Sequence, residues 1–546
     1  MLHHDFDEVF VMFSALLVIF ATGSAPKVCD PGSHGASPSS PDNANAIQNA
    51  LDECSGGGVV VLEGGSFKSG PLTVTGRDVE LVIKSGATLE TAYGPGAWPQ
   101  ADGEYADILA FRSCANCTLS GGGTLWGRGG RPNGPMGGDD WYYLFDEGKI
   151  RSKRPHYLSV SSCTAFTLRA RDADGSGRLT ILDAPMFNVV LKDVQGAEVD
   201  GLNITSTWYS VDPGGSLKEP HNTDGIDPGS GSTSIWIHDV HIDNGDDSIA
   251  VKPSTPCTRN ILVERCTFVH GHGASIGSVG SGCVADVVFR NITMVAQEAG
   301  CRVKSYITAQ RGSVTNVTWE NIEMTNVNQC ITVNADYKPA PKEPKAFVNV
   351  SGLRFINVRG TGCDGAAPAQ FVCPAEAPCM GIELRNVQLS AKHGTNQCAN
   401  AFGRATGAQS PPSCLEASPV PGPSPRPGPL PPVPTPPAPP VACDVAACFA
   451  RCVRKYGGTI ATAAYDCAKG CAGMSGGKVA DEEKFCTFAA GAARFAACEA
   501  YCPHASGDAA KRAECSYGCA FWSAPGGSSA RRPPSRNDVH ASALAK

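Results

Sequence analysis

Between Gly201 and Leu389 the chain repeats one short theme, a turn residue followed by alternating apolar and polar side chains. It reads Gly201-Leu202-Asn203-Ile204, Arg265-Cys266-Thr267-Phe268, Arg290-Asn291-Ile292-Thr293-Met294, Glu320-Asn321-Ile322-Glu323-Met324 and Arg385-Asn386-Val387-Gln388-Leu389. After Asp243 the copies recur at roughly 26 to 34 residues, a period that belongs to solenoids. A period of two within each copy belongs to strands rather than helices. One such strand cannot bury its apolar face alone, whereas coils stacked on one another can. Similar runs at Val59–Leu62, Val79–Ile83, Leu179–Leu182, Val189–Lys192 and Ile235–His238 extend the pattern toward the amino terminus. A sandwich or barrel would supply comparable strands without the steady spacing. The expected fold is all-β, a parallel β-solenoid over 26–417, and 62 glycines with only 7% aromatic residues suit many turns and short strands.

One helix is expected in this region, over Asp42–Cys54, with Asp42 or Asn43 as its cap. Ala46, Ile47, Ala50 and Leu51 form its apolar stripe. Placed at the start of a solenoid it would cover an edge otherwise open to strand addition. Cys29 and Cys54 are candidates to staple it.

Four further segments surround or follow the solenoid. Residues 1–25 hold an apolar stretch, Val9 to Ala25, read as a signal peptide with cleavage after Gly23-Ser24-Ala25. Its acidic start (Asp5, Asp7, Glu8) and the following Pro26 leave an uncleaved anchor as the alternative. Residues 418–440 are a proline-rich linker that reaches about 70 Å in polyproline II form. Residues 441–522 carry ten cysteines in C-x₃-C pairs, Cys448/Cys452, Cys467/Cys471, Cys498/Cys502 and Cys515/Cys519 among them. That spacing puts two sulfurs on one helical face, so the expectation is a small disulfide-rich α-helical module of tandem hairpins, a zinc site being the competing reading. Residues 523–546 read as a disordered tail. Twenty-five cysteines and sequons at Asn116, Asn203, Asn291, Asn316 and Asn349 point to an oxidising, extracellular or cell-wall location. A net charge of −7 offers no global field for nucleic acid. No stable membrane insertion is expected, and the protein reads as a monomer.

The chemistry concentrates in His221-Asn222-Thr223-Asp224-Gly225-Ile226-Asp227 and Asn244-Gly245-Asp246-Asp247. Asp246 and Asp247 lie 22 and 23 residues beyond Asp224. That is close to one solenoid turn, so the three carboxylates can meet on adjacent coils. Crowded carboxylates repel, which keeps one protonated near neutral pH. A protonated and an ionised carboxyl flanking a bond is what glycoside hydrolysis requires. Solvated or turn-forming acids are the plainer alternative. Arg302 and Lys304 alternate with Val303, so both cations share one strand face. An anion such as a sugar carboxylate would relieve their repulsion, with a salt bridge to Glu298 as the competing reading. His272 lies between Gly271 and Gly273, which leave its ring unshielded.

Asn222-Thr223-Asp224, Gly245-Asp246-Asp247, Gly271-His272-Gly273 and Arg302-Val303-Lys304, in this order, resemble the motifs of glycoside hydrolase family 28, the polygalacturonases, over about Lys27 to Cys414. The resemblance implies a right-handed parallel β-helix that cleaves α-1,4 bonds of galacturonan with inversion. It makes Asp246 the acid, its pKa expected to be raised by neighbouring carboxylates, and gives Asp224 and Asp247 the water. His272 would tune the acid. Asn222, Arg302, Lys304 and Tyr337 would bind substrate, while His221 and His270 read as bystanders. The implied partner is pectic polysaccharide, with wall components as possible ligands of the C-terminal module, and no cofactor or metal is implied. Ser248 stands where many relatives have cysteine, with Cys257, Cys266 and Cys283 nearby as substitutes. The alternatives are a rhamnogalacturonan or xylogalacturonan hydrolase, a lyase on the same fold, and a non-catalytic wall-binding protein.

Overall fold

Each coil of the chain contributes strands that pair in parallel with their counterparts one coil on, through a sheet of 30 strands. The computed structural model describes residues 26–417 apart from 102, 131–139, 151–152, 211–215, 309, 336, 338–344 and 393. The signal segment, proline-rich linker, Cys-rich module and tail expected from sequence lie outside the described residues.

Three files of strands run along the solenoid. One passes through Gly58–Leu62, Val79–Ile83, Thr118–Ser120, Thr164–Arg169, Gln195–Asp200, Thr233–His238 and Thr258–Glu264. It continues into the long strands Gly282–Val295, Gly312–Thr325, Val348–Thr361 and Cys379–Ser390. These long strands turn a corner, and their second halves extend another file that includes Thr180–Leu182, Asn203–Thr205, His241–Asp243 and Thr267–Val269. The third file carries the site and is described below.

The sequence repeat is that corner. Asn291, Asn321, Asn357 and Asn386 all hold φ between 51° and 54°, in the left-handed region that asparagine tolerates better than most residues. Their amides bond up the stack. Asn321 Nδ2 donates to Asn291 Oδ1 (3.0 Å), Asn357 to Asn321 (2.9 Å) and Asn386 to Asn357 (3.0 Å). Paired positions Glu264, Arg290, Glu320, Ile356 and Arg385 give coil lengths of 26, 30, 36 and 29 residues. The solenoid reading therefore holds, with one coil longer than expected. That coil, with Asn357 at its corner, completes the repeat between Asn321 and Asn386.

Inside, like residues stack. Phe289, Trp319 and Phe355 are fully buried, with ring centroids 5.6 and 4.9 Å apart and nearly parallel planes. Such aromatic pairs add about 0.5–1.5 kcal/mol each beyond burial. At the amino end the helix Ala44–Glu53 buries Ala46, Ile47, Ala50 and Leu51, and Cys29–Cys54 staples it. The capping bond comes from Asp42, whose Oδ1 accepts from Ala44 N (2.9 Å). Asn43 instead accepts from Ser37 N and donates to Lys68 O. A second short helix, Trp141–Asp146, was not expected; its six residues are too few to show a helical period.

Among the described residues five more disulfides follow: Cys114–Cys163, Cys257–Cys283, Cys330–Cys363, Cys373–Cys379 and Cys398–Cys414. Cys257 and Cys283 thus pair near Ser248, while Cys117, Cys266 and Cys301 are buried free thiols. Among the described residues no helix is long and apolar enough to cross a membrane.

Candidate active site

The third file runs through Leu72–Arg77, Leu109–Ala115, Leu158–Ser161, Val189–Lys192, Ile226–Gly229 and Ile249–Val251. It continues through Ala274–Val279, Ala299–Ser305, Gln329–Asn334 and Ala369–Val372. Alternation along each strand sends one side chain inward and the next outward. Val303 is fully buried in the core, and Arg302 and Lys304 face outward on either side of it. In register, Arg302 pairs with Ser275 and Lys304 with Gly277.

Asp224, Asp246 and Asp247 sit in the turns entering two successive strands of this file. Gly225 N donates to Asp247 O (2.9 Å) and Asn222 N to Asp246 Oδ2 (3.2 Å), so the offset seen in sequence is one coil. Buried polar groups hold these turns. Asn244 Nδ2 donates to Thr223 O (2.8 Å) and Asp247 O (3.0 Å), and Gly245 N donates to Thr223 Oγ1 (3.0 Å). Gly271 and Gly273 are required by geometry. At φ 71° and 72°, a Cβ on the first would meet Asp246 O at 2.4 Å, and on the second Ala299 O at 2.2 Å. Between them His272 N donates to Asp246 O (2.8 Å), which brings the imidazole to the carboxylates.

Two cation-centred groups result. Lys304 Nζ lies against Asp247 Oδ2, Arg302 Nη1 is 3.8 Å from Oδ1, and Ser275 Oγ donates to Oδ1 (2.7 Å). Tyr337 is 41% exposed, its ring 5.6 Å from the Arg302 guanidinium and 5.5 Å from Lys304 Nζ. Glu298 bonds Asn328 and Gln329, and it is Asp247 that these two cations face. Beside this group, Lys252 Nζ donates to Asp224 Oδ2 (2.8 Å) and lies 3.2 Å from Asp227 Oδ2. Both of these aspartates are buried.

His272 begins a third feature. Its Nδ1 is 3.2 Å from Asp246 Oδ1 and its Nε2 is 3.9 Å from Glu219 Oε2. Glu219 Oε1 is 3.4 Å from His221 Nε2, and His221 Nδ1 is 2.9 Å from Asp146 Oδ1. Acids and imidazoles therefore alternate outward from the carboxylates. His221, expected to be a bystander, belongs to this chain. His270 pairs with Asp243 instead (2.9 Å).

The electrostatics split the acids. Burial, then Asp227, push the Asp224 carboxyl well above the usual range despite Lys252. Burial likewise raises Asp227 to about 6. Asp246 goes the other way, against the expectation that neighbouring carboxylates raise it. Burial does push it up, but the hydrogen bond and charge of His272, with Lys304, outweigh this and hold it below the usual range. Burial opposes the His272 cation, yet Asp246 and Glu219 raise it to about 10. His221 and His272 together lower Glu219 to about 2.

Asp227, Lys252 and Glu219 were not singled out from sequence. Asp227 stands three residues past Asp224, and Lys252 ends the run Ile249-Ala250-Val251-Lys252 one coil on. Those are the signals that would have marked them. For metal binding, Asp246, Asp247 and His272 bring one donor atom each within 4.8 Å of one another, as do Asp200, His238 and Asp239. The first set already has Lys304 and Arg302 against Asp247, so its charge is balanced by side chains. The second is met by Arg171 at Asp200 and Arg265 at Asp239.

A family model described as glycosyl hydrolases family 28 matches residues 58–410. The chain is 30% identical over 343 residues to a polygalacturonase of Ralstonia solanacearum, covering 55% of this chain and 63% of that protein. It therefore spans a little under two thirds of that relative. A polygalacturonase of Nicotiana tabacum is 28% identical over 432 residues, covering 76% of this chain and 99% of its own length. Among solved structures, a polygalacturonase from Erwinia carotovora ssp. carotovora superposes with a TM-score of 0.56 at 26% identity, covering 71% of this chain and 98% of that one.

Proposed function

The chain belongs to glycosyl hydrolases family 28, and on that premise we propose that it is a secreted polygalacturonase that hydrolyses α-1,4 bonds between galacturonic acid units of pectin with inversion. The observation that carries this reading is the meeting of Asp224, Asp246 and Asp247 on adjacent coils beside Arg302 and Lys304. Hydrolysis with inversion needs an acid for the leaving oxygen and a base for water on the opposite face. Asp246 is the acid; Asp247 deprotonates the water, and Asp224, whose carboxyl pKa burial raises, helps to orient it. Arg302 offers a uronate the bidentate fork and Lys304 a point charge. Tyr337 lines the cleft beside them, and Asn222, whose backbone N–H holds Asp246, borders the sugar.

The low pKa of Asp246 in the free site fits this role once substrate is counted. An arriving uronate takes up the positive charge of Lys304 and His272, which is what holds Asp246 down. With that charge neutralised the carboxyl's pKa rises, so Asp246 takes up a proton from solvent and can deliver it to the glycosidic oxygen. Substrate binding therefore arms the acid. Asp246→Asn tests the assignment. Polygalacturonate products are resolved by size for both proteins, with rhamnogalacturonan and xylogalacturonan as comparison substrates. The reading requires a loss of at least about 10²-fold in rate with binding retained. Equal cleavage by the variant, or preference for a comparison substrate, removes it.

A further inference from the structure

Strand register fixes what flanks the carboxylates along the solenoid. The outward position of Lys304 pairs with Gly277, and further toward the amino end Gly229 pairs with Lys192, Lys192 with Ser161, and Ser161 with Arg112. Lys252 falls between Gly229 and Gly277. Val251 pairs with Ile276, and a Cβ on Gly229 would lie 3.1 Å from Lys252 Cβ. One file thus reads Arg112, Ser161, Lys192, Gly229, Lys252, Gly277, Lys304. A cation occupies every second coil, on the order of 10 Å apart, and a small residue the coil between.

The two halves of this file differ. Lys252 and Lys304 are committed to aspartates of the site. Lys192 instead faces Lys153 and Arg112, with Asp107 and Glu104 as the acids nearby. Asp107 is already bonded to His156 (2.7 Å). Burial first, then the adjacent Lys153, depress Lys192 below an ordinary lysine despite the opposing pull of Asp107 and Glu104. On the other side of the carboxylates the same face presents Thr332, Asn334 and Gln370, all uncharged. Among the described strand positions of this file, positive charge therefore continues in one direction only.

We propose that Arg112, Lys153 and Lys192 form a second anion site, which holds a carboxylate of the same polyuronate chain two coils to the amino-terminal side of the reacting bond. This rests on the polyuronate reading of the active site and extends it. A polymer with a carboxylate on every sugar can lie along the file and engage both ends of it, whereas a fragment confined to the reacting bond cannot reach Lys192. The site makes the enzyme favour long chains.

The test compares the wild-type chain with the double variant Lys192→Met/Arg112→Gln on polygalacturonate and on digalacturonate. Both replaced side chains face outward, and unchanged thermal unfolding checks that the fold is kept. KM for polygalacturonate should rise about five- to tenfold with kcat unchanged, given the modest worth of partly exposed charge pairs. Its dependence on salt should weaken. KM for digalacturonate should not move. No change on the polymer, or an equal change on both substrates, overturns the proposal. Should the wild-type chain leave polygalacturonate uncut, the active-site reading falls, and the anion site is judged by equilibrium binding of the polymer. Weaker binding by the double variant supports it and equal binding overturns it.

Discussion

Replacing Lys252 by methionine removes the cation that contacts both Asp224 and Asp227 while keeping most of the side chain's length. The effect on stability should depend steeply on pH. Both aspartates have folded-state pKa values above the unfolded one, so the native state binds protons that the unfolded state has released. Stability linked to them is therefore greatest below about pH 4 and falls as pH climbs through the folded pKa. An aspartate forced to stay neutral at pH 7.5 costs about 1.4 kcal/mol per unit above 3.9, roughly 5 kcal/mol in full. At about 6, Asp227 already carries roughly 3 kcal/mol of this in the native site. Losing Lys252 imposes the remaining ~2 kcal/mol and also strips the ion contact from Asp224. The total is about 3 kcal/mol, at the lower end of what breaking a buried pair costs. With an unfolding entropy of roughly 2.1 cal/mol/K per residue, a body of this size loses about 4 °C in Tm. Thermal unfolding at pH 7.5 and pH 4 measures it. The deficit should be about 4 °C at the higher pH and about 1 °C or less at the lower, and Lys252→Arg should recover most of it. An equal deficit at both pH values would show that Lys252 acts by packing and not by charge.

Three further outcomes are expected. Glu219→Gln should lower the His272 pKa from about 10, because it removes one of the two acids that hold the imidazolium; a titration of the imidazole resonances reads this, and an unmoved midpoint contradicts the alternating chain of acids and imidazoles. Hydrolysis should have an acidic optimum, because Asp246 must carry its proton in the substrate-bound site to protonate the leaving oxygen and loses it as pH rises; a rate still climbing past pH 8 would count against the assignment. In the corner ladder, Asn321→Val should destabilise more than Asn321→Gly. Both lose the ladder bonds, but only valine must also be forced to φ 54° at a cost of about 1–2 kcal/mol; equal midpoints in denaturant would refute this.

Much of the architecture was legible because the solenoid writes its corner into the sequence. Asn291, Asn321 and Asn386 precede alternating apolar runs, since one residue must turn left-handed and the next strand must bury every second side chain. Asn357 obeys the same rule, but its coil is 36 residues long, and that length hid the copy. Arg302 and Lys304 were legible as a pair because strand alternation fixes which side chains share a face. Disulfide partners were open except at Cys29 and Cys54, because pairing depends on which coils the turns bring together. The charge state of Asp246 was misjudged for the same reason. Counting acids in the sequence does not reveal that His272 and Lys304, 26 and 58 residues away, reach the same oxygen atoms or their surroundings. Lys252 and Glu219 were missed because each lies just outside a recognisable motif and acquires its role only through a neighbour on the adjoining coil or turn.

The most direct measurement is proton NMR of the first sugar end released when the purified protein cuts polygalacturonate. On the proposed mechanism, with a proton given on one face of the sugar and a water activated on the other, the new end appears first as the β-anomer and drifts to the equilibrium mixture. An α-anomer at the outset, an unsaturated end, or an intact polymer would contradict that arrangement.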